Sequence, residues 1–314
     1  MPFPSLSCVI PAHNEADNLK VLIPLLAETL RGLTPHAEII VVDDGSSDDT
    51  VATALGLANL YPVRCLVLSR NFGKEAALTA GLDEARGDAV VLMDSDLQHP
   101  VKMIPEFWAK WREGYDMVYA LRTNRDDESL PKRLFTRCFY RLLRQGARFD
   151  IEPNAGDFRL LDRKVVESLK QLPERSRFMK GLYAWVGYRS VGLPFQAEAR
   201  RFGKTRFNYL RLTRFAIEGI VSFTDFPLRI SAVLGFAIAL LAIGYGIYVF
   251  IDAVINPNPT PGWPTIVVAL SFLSGIQLMA IGVLGEYIAR VFNEVKGRPN
   301  YIVGKKVGHA GLGS

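Results

Sequence analysis

Three polar clusters, each following an apolar run of strand-like residues, carry side chains that could bind cations and phosphates. They occupy residues 11–15 (PAHNE), 43–47 (DDGSS) and 94–99 (DSDLQH). Asp94 and Asp96 are two residues apart, so both carboxylates can bind one hard cation, with water and phosphate oxygens as its other ligands. Such a cation offsets the charge that develops on a departing diphosphate. The spacing therefore predicts a divalent cation, Mg²⁺ or Mn²⁺, at Asp94 and Asp96.

The elements that must position these clusters alternate between strand and helix. The predicted strands are residues 6–10, 39–42, 63–68 and 89–93, and the predicted helices are residues 15–30, 48–58 and 75–85. This alternation is typical of an α/β domain with a mostly parallel, Rossmann-like sheet, in which ligands bind at the carboxyl ends of the strands. All three polar clusters lie at such ends.

Two later segments contain no charged residue: 230–251, with 22 residues, and 265–285, with 21. As helices, each would be roughly 32 Å long, enough to cross the hydrocarbon layer of a bilayer. The stretch 252–264 between them has no Lys or Arg, whereas basic residues flank the outer ends of both segments. The positive-inside rule then places both termini, and with them the predicted α/β domain, in the cytoplasm. We expect an integral membrane protein with a two-helix transmembrane hairpin and a short external loop.

Two basic amphipathic segments, 131–145 and 208–229, are candidates for helices in the membrane interface. A core-facing helix with a solvated basic side is the alternative for 131–145. The expected organisation is a cytoplasmic α/β domain at 1–207, a juxtamembrane segment at 208–229, the hairpin at 230–285 and a basic tail at 286–314. Small residues in the hairpin are compatible with close helix contacts in a homo-oligomer.

Composition excludes several other classes of protein. The chain has 314 residues, 49% of them hydrophobic and 22% charged, which argues against disorder. The three cysteines show no paired spacing and are expected to be reduced, and the four histidines form no zinc-binding pattern. The net charge of +5 favours anionic lipid and phosphate as partners. Nucleic acid is not expected, because the sequence contains no nucleic-acid-binding motif.

The ordered set of motifs resembles family 2 glycosyltransferases with the GT-A fold, and among them the polyprenyl-phosphate glycosyltransferases. The motifs are SCVIPAHNEADNL, EIIVVDDGSSDDT, LSRNFGKEAALTAGL, VVLMDSDLQHP, NAGDFRL, RFMKGLYAWVGY and RRFGKTRF. The resemblance covers essentially the whole chain, including both apolar segments. It implies dolichol-phosphate-mannose-synthase-like or bactoprenol-glucosyltransferase-like chemistry.

The resemblance also assigns roles to individual positions. It implies that the nucleotide sugar is bound by Pro11, Asn14, Glu15, Asp43, Asp44, Asp94, Ser95 and Asp96. It implies a catalytic group formed by Gln98, Arg122 and Asp157. Lys74 is a further candidate for contact with the nucleotide, although the stretch 71–74 lacks the spacing of a phosphate-binding loop. For Lys74, a side chain that is simply solvated is the alternative. For Asp157, the role of a base and the role of a positioning residue both stay open.

Arg200, Thr205 and Arg206 match a family pattern, R-x-x-G-x-S-K-Y, that closes on phosphates. This chain has Thr for Ser, Arg for Lys and Phe for Tyr, and Arg keeps the charge while changing the geometry of phosphate binding. We expect these three residues to bind the acceptor phosphate. An ordinary basic juxtamembrane stretch is the alternative.

The implied reaction is an inverting transfer of one sugar to undecaprenyl or another polyprenyl phosphate, with glucose from UDP-glucose favoured. The alternatives are GDP-mannose or another nucleotide sugar as donor. From a different class, a non-catalytic membrane-anchored scaffold that binds nucleotide sugars is the other hypothesis. A polymerase is not expected, because the Q-x-x-R-W motif of processive synthases does not occur.

Overall fold

Four parallel strands form the centre of the sheet, in agreement with the predicted alternation. The computed structural model describes residues 3–123, 152, 155–172, 174, 177–196, 226–255 and 262–308. The central strands are β1 (Leu6–Ala12), β2 (Ala37–Asp43), β3 (Val63–Leu68) and β4 (Ala89–Leu92), and they lie in the order β4-β1-β2-β3. Helices α1 (Ala16–Leu33), α2 (Thr50–Ala58) and α3 (Lys74–Glu84) connect them. The α/β class is therefore confirmed.

Four further strands extend this centre to an eight-stranded mixed sheet. They are β5 (Met117–Arg122), β6 (Ala155–Asp162), β7 (Ser190–Phe195) and β8 (Val303–Gly308). The full order is β7-β5-β6-β4-β1-β2-β3-β8. Strand β6 runs antiparallel to both β4 and β5, so β5 runs in the same direction as β4. The end of β5 and the start of β6 consequently lie at the same edge of the sheet as the carboxyl ends of β1, β2 and β4.

Helices cover both faces of the sheet. Alternate residues of β1 point to opposite faces: Cys8 packs with α1 and with α4 (Ile104–Arg112), which follows a 3₁₀ turn at Val101–Met103. Val9 packs with α3, α5 (Arg163–Gln171) and α6 (Met179–Trp185). The approach of α3 is close, because a Cβ at Gly81 would lie 2.1 Å from Cγ1 of Val9.

A buried ion pair lies away from the polar clusters. Glu38 is fully buried, and one of its carboxylate oxygens lies 2.7 Å from Nη2 of Arg64. Its other oxygen accepts hydrogen bonds from the hydroxyl of Ser7 and from the backbone amide of Arg86. Because each charge is compensated in place, this pair is structural and is not part of the candidate site.

Two long helices follow the sheet domain, α7 (Phe226–Ile255) and α8 (Trp263–Val295). Both are longer than the charge-free segments 230–251 and 265–285. Helix α8 continues past Glu286, which lies 3.6 Å from the guanidinium of Arg290 one turn later. Among the described residues, one segment, Phe272–Val295, is long and apolar enough to cross a membrane, and α7 contains a shorter apolar stretch.

The chain returns to the sheet after α8. Residues 303–308, expected to belong to a basic tail, form the edge strand β8, which is antiparallel to β3. The hydroxyl of Tyr301 donates to a carboxylate oxygen of Asp83 at 2.7 Å, and Lys306 pairs with Glu84. The end of α8 is therefore joined to the sheet domain through β8 and α3.

Candidate active site

The first two polar clusters interlock at the carboxyl ends of β1 and β2. The backbone amide of Asn14 donates to the Ser46 hydroxyl at 2.9 Å, and the side-chain oxygen of Asn14 accepts from the Ser47 amide at 2.8 Å. Asn14 has a φ of +59°, in the left-handed region that Asn tolerates better than most residues. Asn14 therefore fixes the loop next to Ser46 and Ser47.

Asp43 and Asp44 differ in what they bind. Both oxygens of Asp44 accept backbone amides of the loop before α3, from Phe72 at 2.7 Å and from Gly73 at 2.9 Å. Burial raises the pKa of Asp44, although these two hydrogen bonds act in the opposite direction. Asp43 is buried, and its Oδ1 has no hydrogen-bond partner among the described residues. Asp44 thus anchors a loop, and Asp43 keeps an unused acceptor.

A second contact holds the same two loops together. Gly45 has a φ of +67°, and a Cβ at this position would lie 2.6 Å from the backbone of Arg70 and of Asn71. Only glycine combines this conformation with this close approach. The loop 69–73 is therefore packed directly against the end of β2.

Lys74, the first residue of α3, joins two carboxylates from separate strands. Its Nζ lies 2.6 Å from Oδ1 of Asp94 and 2.8 Å from Oδ2 of Asp157. Asp94 follows β4 and Asp157 lies in β6, so the ion pairs connect two strands to a helix. The Lys74 side chain is 42% exposed and that of Asp157 12%, so the cluster is reached from solvent on the Lys74 side.

The charges of this cluster set its protonation states. Burial acts to lower the pKa of Lys74, but the charges of Asp157 and Asp94 outweigh it and raise the pKa. For Asp157, burial acts to raise the pKa, and the nearby ammonium groups of Lys74 and Lys180 hold it well below its ordinary range. Both partners are therefore charged near neutral pH. The Oδ1 atom of Asp157 is buried without a hydrogen-bond partner among the described residues.

The loop after β4 presents its two carboxylates in a fixed conformation. The backbone amide of Gln98 donates to Oδ1 of Asp96 at 3.2 Å. Ser95, which separates Asp94 from Asp96 in the sequence, is buried. Leu97 has a φ of +59°, a conformation that non-glycine residues rarely adopt. Backbone strain of this kind is concentrated at functional sites.

His99 supports this loop from below. Its Nδ1 lies 3.3 Å from the backbone amide of Asp94, and its ring stacks on Phe158 with 4.8 Å between centroids. Burial lowers the pKa of His99, although the charges of Asp94 and Asp96 act to raise it. In a neutral ring, Nδ1 can accept a hydrogen bond from the backbone amide of Asp94, so His99 stabilises the loop that carries Asp94 and Asp96.

Glu75, next to Lys74, faces the same buried charges. Its carboxylate accepts the backbone amide of Met179 at 3.4 Å. Burial and the charge of Asp157 raise the pKa of Glu75 to about 8, although Lys74 and Lys180 act to lower it. Glu75 is therefore largely protonated near neutral pH.

Arg159 lies on the same face of β6 as Asp157, two residues along. Its guanidinium is 3.6 Å from the ring centroid of Tyr183, and its Nη2 donates to the carbonyl of Gly156 at 2.5 Å. The side chain is buried beside a small cavity that Lys180 also lines. Arg159 thus places a buried positive charge near Asp157, on the same strand, and this charge also acts to lower the pKa of Asp157.

The remaining predicted residues are placed as follows. Pro11 is buried in β1, and Glu15 lies just before α1, where its carboxylate accepts from the Asn18 side chain. Arg122 is the exposed last residue of β5, at the edge that carries the clusters. Arg200, Thr205 and Arg206 lie outside the described residues, as do the whole of the segment 131–145 and residues 208–225 of the segment 208–229.

Sequence reasoning missed four contributors to the site: Glu75, His99, Arg159 and Lys180. Glu75 and Lys180 are ordinary residues in helical segments, and nothing in their spacing indicates that α3 and α6 bring them to Asp157. The sequence analysis assigns His99 no role, because the histidines form no zinc-binding pattern. The position of His99, three residues after Asp96 and directly before Pro100, is the one sequence feature that indicates a contact with the loop of Asp94 and Asp96.

Two family profiles match the chain. The profile "Glycosyl transferase family 2" matches residues 7–170, and "GtrB C-terminal hairpin" matches residues 226–291. The first match contains all three polar clusters, Lys74 and Asp157. The second contains α7 and most of α8.

Curated relatives align with nearly the whole chain. An uncharacterized glycosyltransferase of Synechocystis sp. is 47% identical over 299 residues, covering 95% of this chain and 94% of the relative. The prophage-derived bactoprenol glucosyl transferase of Shigella flexneri is 43% identical over 302 residues, covering 96% and 97%. Among solved structures, glucosyl-3-phosphoglycerate synthase from Mycobacterium tuberculosis matches 70% of this chain and 79% of its own at 22% identity, with a TM-score of 0.46.

Proposed function

The chain belongs to glycosyltransferase family 2, and on that premise we propose that it transfers one sugar from a nucleotide donor to a polyprenyl phosphate. Glucose from UDP-glucose and undecaprenyl phosphate are the favoured substrates. Support for this choice comes from the relatives named as bactoprenol glucosyl transferases, which align end to end with this chain.

The observation that carries the proposal is the cluster of Asp94, Asp157 and Lys74 at the carboxyl edge of the sheet. It places a carboxylate of the Asp94–Asp96 pair next to a buried carboxylate on β6, with one ammonium between them. In a mostly parallel α/β sheet, ligands bind at the carboxyl ends of the strands, which is where this cluster lies. The donor would lie over the ends of β1, β2 and β4, in the arrangement of a GT-A domain.

The donor set at Asp94 and Asp96 fits a divalent cation that binds through one or two carboxylates and the phosphates of a substrate. Among the described residues, no three or more His, Cys, Asp or Glu side chains are arranged so that they could hold a metal ion by themselves, so substrate phosphates would supply further ligands. Oδ1 of Asp94 forms an ion pair with the Lys74 ammonium in this structure, so this oxygen lies where a positive charge is favourable. When bound, the cation would offset the negative charge of the departing diphosphate.

The chemical step needs little help with proton removal. The second pKa of a phosphate monoester is about 6, so the acceptor phosphate is mostly a dianion near neutral pH. One of its oxygens attacks the anomeric carbon, the bond from that carbon to the diphosphate oxygen breaks, and the configuration inverts. Asp157, held as a carboxylate by Lys74, would orient the cationic groups around the acceptor.

The remaining site assignments complete the proposal. Asp43, with its unused acceptor, and the loop at Asn14 and Glu15 would bind the nucleoside. Arg122 would face the cleft from the end of β5. Arg200, Thr205 and Arg206 would bind the acceptor phosphate.

We place the enzyme in the membrane through α7 and α8, with both termini and the sheet domain in the cytoplasm. The support is the apolar composition of both helices and the lack of Lys and Arg between 252 and 264. A lipid acceptor stays in the bilayer, so the cleft must lie close to the membrane surface.

A donor panel tests the reaction. Membranes containing the enzyme are incubated with undecaprenyl phosphate and one radiolabelled nucleotide sugar at a time, and lipid-linked label is extracted. Label from UDP-glucose is the expected result, and label from GDP-mannose alone would replace the proposed sugar. Membranes with Asp94→Asn enzyme serve as the control.

The same panel separates an enzyme from a non-catalytic scaffold. A scaffold would bind donor but leave every nucleotide sugar intact, with and without the lipid. Formation of UDP together with the labelled lipid would exclude it. Failure of all donors in the presence of measurable donor binding would favour it.

A further inference from the structure

A cationic cavity lies between the end of α8 and the loop that precedes α3. Its volume is about 600 Å³, within the range of ligand pockets. Arg70 and Phe72 line it from the loop, and Asn293, Lys296 and Arg298 line it from α8 and the segment that follows. Among the described residues that line it, three are cationic and none is acidic.

The cations come from two parts of the chain that are far apart in the sequence. Lys296 and Arg298 follow the last turn of α8, a position where basic residues also interact favourably with the helix dipole. The dipole does not explain Arg70, which belongs to the loop after β3. The convergence of Arg70 with the other two is therefore a feature of the tertiary structure.

The walls of the cavity hold the cationic groups in place. The Arg70 guanidinium lies 4.0 Å from the ring centroid of Phe72, and its Nη1 donates to the carbonyl of Asn71 at 3.0 Å. The Lys296 ammonium lies 4.1 Å from the ring of Phe292. Both aromatic contacts leave the polar ends of these side chains with further donor hydrogens, because an arginine carries five and a lysine three.

Two contacts fix the segment that closes the cavity. The backbone amide of Ser69 donates to the carbonyl of Ile302 at 2.9 Å, and Tyr301 is bonded to Asp83. Asn300 contributes a buried side-chain oxygen without a hydrogen-bond partner among the described residues. The lining of the cavity thus combines three cationic side chains with the Oδ1 acceptor of Asn300, on a segment held in place by these two contacts.

We propose that this cavity is a second binding site, distinct from the cleft at Asp94, for a phosphate group. Arginine and lysine are the side chains that bind phosphate oxygens through charge-assisted hydrogen bonds. A phosphate would offset the positive charge that Arg70, Lys296 and Arg298 bring to the lining of the cavity, and a hydroxyl next to it would donate to Asn300. The phosphate is carried by an anionic lipid headgroup or by a soluble ion, since the cavity adjoins the end of α8.

The site shares a loop with the catalytic cluster. Residues 69–73 line the cavity at Arg70 and Phe72, and the same loop is anchored by Asp44 through the Phe72 and Gly73 amides. Lys74 follows directly. A phosphate in the cavity would therefore stabilise the loop that positions Lys74.

The test uses the full-length enzyme and a triple variant, Arg70→Gln, Lys296→Gln and Arg298→Gln. The matched control removes three exposed charges elsewhere, with Arg31→Gln, Arg86→Gln and Arg112→Gln. One arm measures phosphatidylglycerol retained by the detergent-solubilised protein in native mass spectrometry. The other arm titrates inorganic phosphate and follows hydrogen exchange of residues 69–73 and 296–302.

We expect the triple variant to bind the probe at least about tenfold more weakly, since it removes the charge-assisted hydrogen bonds of three side chains. The control should bind like the wild type. Retention of phosphatidylglycerol without protection by inorganic phosphate identifies a lipid headgroup, and protection by inorganic phosphate identifies a soluble ion. Equal binding by wild type and triple variant, or equal losses in triple variant and control, would overturn the proposal.

Loss of folding in the triple variant is checked by its thermal melting transition. If that transition is lowered, Arg70→Gln alone is compared with Arg70→Lys, which keeps the charge. Binding retained by Arg70→Lys and weakened in Arg70→Gln supports the site. Equal binding by these two single variants contradicts it.

Discussion

The ammonium of Lys74 lies 2.8 Å from Oδ2 of Asp157, and this ion pair joins the start of α3 to β6 inside the cleft. Because Lys74 also pairs with Asp94, one side chain links the proposed metal ligand to the proposed catalytic carboxylate. The pair makes Asp157 a stable anion and therefore a weak base near neutral pH. This electrostatic arrangement favours a positioning role for Asp157.

Replacing Lys74 tests the importance of this link. Lys74→Met should lower kcat/KM by about a hundredfold or more, because it removes a preorganised positive charge and leaves two adjacent carboxylates without their partner. Lys74→Arg should restore part of the activity. Steady-state kinetics with UDP-glucose and undecaprenyl phosphate give the measurement.

Lys164→Met is the matched control for Lys74→Met. Lys164 also forms an ion pair, 2.6 Å from a carboxylate oxygen of Asp116, but it is exposed and lies away from the cleft. Its loss should leave kcat/KM nearly unchanged. If the two methionine variants were equally active, Lys74 would have no special role.

The pH dependence of Asp157→Asn separates a base from a positioning residue. The low pKa of Asp157 keeps it ionised throughout the range from about pH 5.5 to 8.5, so the deficit of the variant should be roughly constant. A true base would become unnecessary as the acceptor loses its proton at higher pH. The measurement is the pH–rate profile of both proteins, with donor affinity measured in parallel, and a deficit that disappeared by about pH 8.5 would establish a base.

Removal of the cation should have the same effect as removal of its ligands. Asp94→Asn and Asp96→Asn should each abolish most transfer, since each deletes a charged ligand of a cation that balances the diphosphate. EDTA should inactivate the wild type, and Mg²⁺ or Mn²⁺ should restore it. Asp17→Asn, at an exposed ion pair on α1, is the control and should stay active. Full turnover of Asp96→Asn in EDTA would remove the metal from the mechanism.

The centre of the sheet could be predicted because each strand there is a short apolar run. Strand β3 was predicted at its observed bounds, and the other three central strands differ by one to two residues at an end. Strand β8 was not predicted. Its sequence contains Lys305 and Lys306, which are typical of an edge strand and carry no apolar alternation.

The part of the site that could be predicted is the part whose residues are close together in the sequence. Asp94 and Asp96 are recognisable from their spacing, whereas the partners of Lys74 depend on β6 running antiparallel beside β4. Nothing local to residues 74 or 157 encodes that pairing. The raised pKa of Glu75 and the lowered pKa of His99 likewise come from burial by distant elements.

Membrane topology is tested with single cysteines. In a Cys138→Ser background, in which Cys8 and Cys65 are buried, Asn258→Cys should react with an impermeant maleimide added to intact cells. Gly311→Cys should react only after the membrane is opened. Labelling of Gly311→Cys from outside would place the sheet domain away from cytosolic donors and contradict the proposed orientation.

The environment of Glu75 makes a prediction about stability. Burial contributes most to raising the pKa of Glu75 from 4.5 to about 8, and the charge of Asp157 acts in the same direction. The charges of Lys74 and Lys180 act to lower this pKa, and the buried guanidinium of Arg159 also interacts with the Glu75 carboxyl. Between these two values the folded protein holds a proton that the unfolded chain has released. Stability must therefore decrease as the pH rises through this window, by linkage.

The apparent melting temperature of the full-length enzyme in detergent should accordingly fall between about pH 5.5 and 8.5, and Glu75→Gln should show a smaller fall. Glutamine keeps the shape and the neutral state of the protonated carboxyl, so it removes the proton that couples folding to pH. Each pKa unit corresponds to about 1.4 kcal/mol, which is large enough to measure. Glu28→Gln, at an exposed position on α1, should retain the wild-type slope. Identical slopes for wild type and Glu75→Gln would mean that Glu75 is already ionised in the folded protein and that Lys74 and Lys180 outweigh its burial.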